Sequence, residues 1–149
     1  MKTQKTRELV IMGVLTGVVF LGQVFMGFLP NVEIVTLLFM LYTLVFGKKV
    51  FLMIYVFVFL EGIFYGFGLW WLNYLYVWSV QAVITWLCRK QKSVVFWSIL
   101  SGFYGISFGA LCTIPHCIGN VALCLALFKP LRSLLEKMVF GNLEKPVHN

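Results

Sequence analysis

VEIVTLLFMLYTLVFGKKVFLMIYVFVFLEGIFY, residues 32–65, decides how the chain is read. It holds two long apolar runs, Val32–Phe46 and Val50–Tyr65, split by Gly47-Lys48-Lys49. An apolar run of this kind reads as a helix crossing a bilayer, because lipid solvates apolar side chains directly. A cationic pair between two such runs marks the turn that stays on the cytoplasmic side.

The same pattern extends in both directions. A spanning helix needs roughly 20 apolar residues at about 1.5 Å each. Candidates are Leu9–Leu29, Val32–Phe46, Val50–Tyr65, Leu69–Cys88, Ser93–Thr113 and Cys117–Leu135. The second is short and is expected beneath thinned lipid or with little tilt. Pro30-Asn31 gives a first outer turn, with Asn31 as an N-cap. Gly66-Phe67-Gly68 separates the third helix from the fourth, and Ile114-Pro115 the fifth from the sixth. Pro130 is expected to kink or end the last helix. The apolar stretch at 9–29 is too long for the core of a signal peptide and reads as a retained helix.

Charge tests this division. The 149 residues include 12 Lys and Arg and 5 Asp and Glu, for a net charge of +7. The cations form four groups: Lys2, Lys5 and Arg7; Lys48 and Lys49; Arg89, Lys90 and Lys92; and Lys129, Arg132, Lys137 and Lys145. With six crossings, all four fall on one side, and the positive-inside rule makes that side cytoplasmic. The expectation is an all-α, polytopic six-helix transmembrane bundle, N-in and C-in. Residues 1–149 form a single domain with a polar tail from about 141. The composition, 61% hydrophobic and 11% charged, is far too apolar for a soluble domain. The basic balance is then a matter of topology, and no nucleic-acid partner is implied.

A few residues carry possible chemistry. Gly13 and Gly17, one turn apart on the first helix, let another helix approach closely. They serve either a separate membrane subunit or packing within the chain; Gly105 and Gly109 repeat the pattern on the fifth helix, where packing within the chain is expected. Glu61 lies roughly 16 Å into the third helix, where a carboxylate costs several kcal/mol unless paired, protonated or wet. It is either a ligand contact or proton site, or a carboxyl satisfied by polar neighbours. Trp71, Tyr74, Trp78, Gln81 and Thr85 share one face of the fourth helix. Such a face suits a flat organic ligand, or else an interfacial aromatic belt above a packed core. Glu33 contacts a ligand at the outer mouth or favours a helix N-terminus. His116 and Asn120 face one way on the sixth helix, as a binding pair or as a cap and packing residue. Cys88, Cys112, Cys117 and Cys124 lack C-x-x-C spacing, so no metal site is expected. No nucleotide loop or catalytic set is present, so no enzyme activity and no cofactor are expected, and work driven by ATP requires another protein.

Several stretches resemble the substrate-binding S components of energy-coupling factor (ECF) transporters. They are residues 29–38 (LPNVEIVTLL), Gly47-Lys48-Lys49, residues 61–70 (EGIFYGFGLW), residues 116–120 (HCIGN) and Phe128-Lys-Pro-Leu131. The resemblance implies six membrane helices and capture of a vitamin or related micronutrient from outside a bacterial cytoplasmic membrane. It also implies a transmembrane coupling subunit and two cytoplasmic ATPases as partners. Gly13 and Gly17 stand where the family carries a small-residue pair, usually alanines, that docks on the coupling subunit. One departure is the outer turn between Thr113 and His116, which the family usually makes longer to close its site. The site expected from these residues is Glu33, Glu61, Tyr74, Trp78, Gln81, His116 and Asn120. With acids and no cation toward the outer side, the ligand is expected to be neutral or cationic. The competing expectation is a membrane scaffold or assembly partner whose buried acids are structural.

Overall fold

The computed structural model describes residues 2–26, 34–108 and 113–141, with side chains omitted at 2–4 and 105–116. The Pro30-Asn31 turn, Glu33, Gly109, Cys112 and the polar tail beyond Gly141 lie outside the described residues. Among those described, the structure is all-helical. The elements are α1 (Lys2–Met26), α2 (Ile34–Phe46), α3 (Val50–Tyr65), α4 (Leu69–Leu87), α5 (Val94–Phe108) and α6 (Thr113–Phe140). A single 3-10 turn, Gly47–Lys49, joins α2 to α3.

α2 is the centre. Every residue from Val35 to Thr43 is buried, so this helix is enclosed on all sides by protein. It packs against α1, α3, α4 and α6, while α5 and α6 form the most closely associated pair. At about 1.5 Å per residue, α2 is only about 20 Å long. Because it is wrapped by its neighbours, it does not have to match the lipid thickness, which replaces the expectation of thinned lipid.

The outside is apolar. Val14 and Phe25 on α1, Leu52 and Phe59 on α3, Leu72 on α4, Ile99 and Phe103 on α5 and Leu125 on α6 are all exposed. Among the described residues, three helical stretches are long and apolar enough to cross a membrane by length and composition: Lys5–Met26, Ile34–Tyr65 and Cys117–Phe140. Six separate crossings are therefore more than helix length establishes. α2 and α3 count as one continuous stretch through the 3-10 turn. α4 is diluted by Asn73, Ser79, Gln81 and Thr85, and α5 is short.

The basic groups meet at one end of the bundle. Arg7 Nη2 donates to the Met138 carbonyl at 3.5 Å. Lys49 Nζ lies 2.6 Å from both Glu8 carboxylate oxygens. Lys48 and Arg89 both lie over the Trp86 ring, at 5.2 and 4.5 Å from its centroid. These contacts join the starts or ends of α1, α2, α3, α4 and α6.

Two boundaries differ from the sequence reading. The turn expected at Ile114-Pro115 lies inside α6, which begins at Thr113. Pro115 falls in the first turn, where its missing N–H has no intrahelical partner to lose. α6 also runs through Pro130 to Phe140. Its buried Phe128 and Leu135 anchor the segments on either side of the proline. The Gly66-Phe67-Gly68 break appears as expected, with Gly66 at φ 87°, ψ 151°. That region costs a residue with a Cβ about 1–3 kcal/mol. Gly66→Ala is expected to lower stability by that amount in a detergent thermal melt. An unchanged midpoint would show that the α3–α4 turn does not need this backbone geometry.

Candidate functional site

The sequence places aromatic and amide side chains on the inner face of α4, and the fold turns that face onto α2 and α3. Trp78 is 4% exposed and sits among Phe39 (centroids 5.8 Å), Phe57 (6.3 Å), Tyr74 (5.8 Å) and Tyr104 (6.2 Å). Tyr74 stacks on Phe57 at an interplanar angle of 19°. The result is an aromatic cluster drawn from α2, α3, α4 and α5.

Donors on these rings pin the helices together. Trp71 Nε1 donates to the Val58 carbonyl at 2.8 Å. Tyr104 Oη donates to the Val77 carbonyl. Tyr42 Oη donates to the Leu15 carbonyl at 3.3 Å. Each such bond contributes about 0.5–1.5 kcal/mol and fixes the register of two helices. Gln81 Nε2 similarly reaches the Thr36 carbonyl at 2.7 Å and ties α4 to α2.

Other buried polar atoms have no partner among the described residues. They are Glu61 Oε1, Trp78 Nε1, Gln81 Oε1, Thr85 Oγ1, Ser101 Oγ, and both Nδ2 and Oδ1 of Asn120. Glu61 and Asn120 are each only 1% exposed. Leaving a polar atom in this state costs about 1–3 kcal/mol. Glu61 sits one helical turn beyond Phe57 on α3, so it borders the aromatic cluster. Asn120 reaches the interior from α6, which packs on α2. Glu61 and Gln81 bring a buried carboxyl and a buried amide to the flat hydrophobic faces, and α6 buries a second amide at Asn120. Such a set can hold a planar molecule by stacking and read its edge by hydrogen bonds.

Of the expected site residues, Glu61, Tyr74, Trp78 and Gln81 gather around the α2–α3–α4 core, and Asn120 is buried on α6. Glu33 and the side chain of His116 lie outside the described residues. Among the described residues, nothing lies within 4 Å of where a Cβ would stand at Gly13 or Gly17. Tyr104, Phe39 and Phe57 were not foreseen. Their aromatic character is legible in the sequence, but nothing in their spacing relates them to α4. A cleft of about 210 Å³ lies elsewhere, near Lys48 and Trp86.

No protein-family profile, curated protein or solved structure matches the chain. The functional reading therefore rests on the residues themselves.

The unpartnered amide of Asn120 makes a specific expectation. Asn120→Leu keeps the branching of the side chain, removes two polar atoms without a partner among the described residues, and should raise stability by about 1–3 kcal/mol. Thermal unfolding of the purified protein checks it. A lower midpoint would mean that Asn120 is satisfied in the folded protein and serves packing.

Proposed function

We propose that this chain is the membrane-embedded substrate-capture subunit of an ECF-type ABC importer in a bacterial cytoplasmic membrane. The bundle crosses the bilayer six times with both ends inside. The meeting of the cationic groups at one end supports that orientation, because cations are retained on the cytoplasmic face. The ligand is a flat vitamin or related micronutrient, neutral or cationic. It binds between Trp78, Tyr74, Gln81, Glu61 and Asn120, with Glu33 and His116 toward the outer mouth.

One observation carries this reading: a buried carboxyl and two buried amides with orphaned polar atoms around an aromatic cluster. An interior serving stability alone satisfies such groups or omits them. The resemblance of residues 29–38 and 61–70 to S components adds the transport context. Energy comes from partners, a transmembrane coupling subunit and two ATPases, since the chain has no nucleotide loop. The open faces of Gly13 and Gly17, flanked by exposed Val10, Val14 and Leu21, suit the coupling subunit. A membrane scaffold is the second reading. The observation favouring it is the close ring packing around Trp78.

Mass spectrometry of small molecules retained on gently purified protein tests the capture reading directly. A stoichiometric planar heterocycle supports it; repeated absence of a ligand and of co-purifying ATPases favours the scaffold. Glu61→Gln should weaken a cationic ligand about tenfold or more, read by isothermal titration, because a buried charge-assisted contact is lost. Equal affinity would remove Glu61 from the site. The double change Gly13→Leu, Gly17→Leu should abolish co-purification of the coupling subunit and leave ligand affinity intact, because it adds bulk only to an open face. Normal assembly would end the docking assignment.

A further inference from the structure

A second site lies at the basic end of the bundle, apart from the aromatic cluster. Here α4 leaves a cleft against the α2–α3 junction, with a volume of about 210 Å³. That is below the range of about 300–1,000 Å³ usual for small-molecule pockets. Phe51, Ala82, Val83, Trp86 and Leu87 line it, together with Lys48. Thr43 also borders it, but its hydroxyl donates to the Phe39 carbonyl at 2.6 Å, so the lining offers hydrocarbon. Val83 and Leu87 are exposed on the bundle's outer side.

The mouth is cationic and uncompensated. Lys48 and Arg89 are both exposed and both lie over the Trp86 ring. Among the described residues there are three carboxylates. Glu8 pairs with Lys49, Glu136 pairs with Arg132, and Glu61 is buried in α3. Two cations thus converge on one indole without an anion of their own. An indole at this depth marks the border between hydrocarbon and headgroups.

We propose that this cleft is a binding site for one anionic phospholipid of the leaflet at the basic end. An acyl chain lies along Phe51, Val83 and Leu87, and the phosphate sits between Lys48 and Arg89. The guanidinium binds phosphate oxygens in a two-pronged fashion and the ammonium supplies a point charge. A free phosphate would use the cations but not the hydrocarbon wall. A zwitterionic lipid would use the wall but bring its own cation to the mouth. Only an anionic lipid satisfies both halves.

The test is native mass spectrometry of the full chain in mild detergent, exchanged against phosphatidylglycerol and phosphatidylcholine of identical acyl chains. One phosphatidylglycerol should be retained in preference. Each basic residue near a headgroup is worth about fivefold in binding, so Lys48→Gln with Arg89→Gln should cut the preference about twenty-five-fold. Lys90→Gln with Lys92→Gln removes the same charge from the same end and should leave it unchanged. Val83→Trp, which fills the cleft from its exposed side, should reduce retention of both lipids. Equal retention of the two lipids would overturn the proposal. So would an equal loss in the Lys90/Lys92 variant, which would mean diffuse surface attraction. Displacement of the lipid by millimolar glycerol phosphate would also overturn it, by making this a site for a soluble anion. So would full retention in the Val83→Trp variant.

Discussion

A charge cannot rest in hydrocarbon, and that exclusion organises this molecule. The contacts of Arg7 with Met138, of Glu8 with Lys49, and of Lys48 and Arg89 with Trp86 draw the ends of five helices to one level. Between them run apolar segments whose backbone groups are satisfied within each helix. The surface pairs themselves add little energy, since exposed ion pairs are worth about 0–1 kcal/mol. Their importance is in registering where each helix must stop.

Within that frame the interior is divided. Next to α1 and α3, ring donors find backbone carbonyls and lock neighbours together, as Tyr42 does to Leu15 and Trp71 to Val58. Elsewhere in the interior, Glu61 Oε1 on α3, Gln81 Oε1 on α4 and the amide of Asn120 on α6 have no partner among the described residues.

Much of this was legible in the sequence. Gly66-Phe67-Gly68 predicted the α3–α4 break, the α4 spacing put Trp78 and Gln81 on one face, and the cation grouping anticipated the meeting of Arg7, Lys48, Lys49 and Arg89 near one end. What the sequence could not say has a physical origin. Lipid and protein core are equally apolar, so the composition of α2 could not distinguish a lipid-facing helix from an enclosed one. The spacing of Gly13 and Gly17 fits internal and external packing alike, and only the open space above them separates the two. Pro115 and Pro130 signal breaks in isolation, yet one falls where no N–H is needed and the other lies between two buried anchors. The aromatic partners Phe39, Phe57 and Tyr104 come from three other helices, and no local pattern announces a meeting so distant in the chain. Glu61 was found by cost alone, as the carboxyl set deepest in an apolar run.

The clasp between α1 and α6 has a consequence for biosynthesis. Arg7 and Met138 are separated by 131 positions, and α6 also covers a flank of the central helix. While the chain is still emerging from the ribosome, that flank of α2 faces either lipid or a translocation factor. Long-range closure of this kind slows folding and exposes intermediates. Cover for this flank therefore waits for α6, and a nascent chain stalled before α6 leaves one side of the central helix bare.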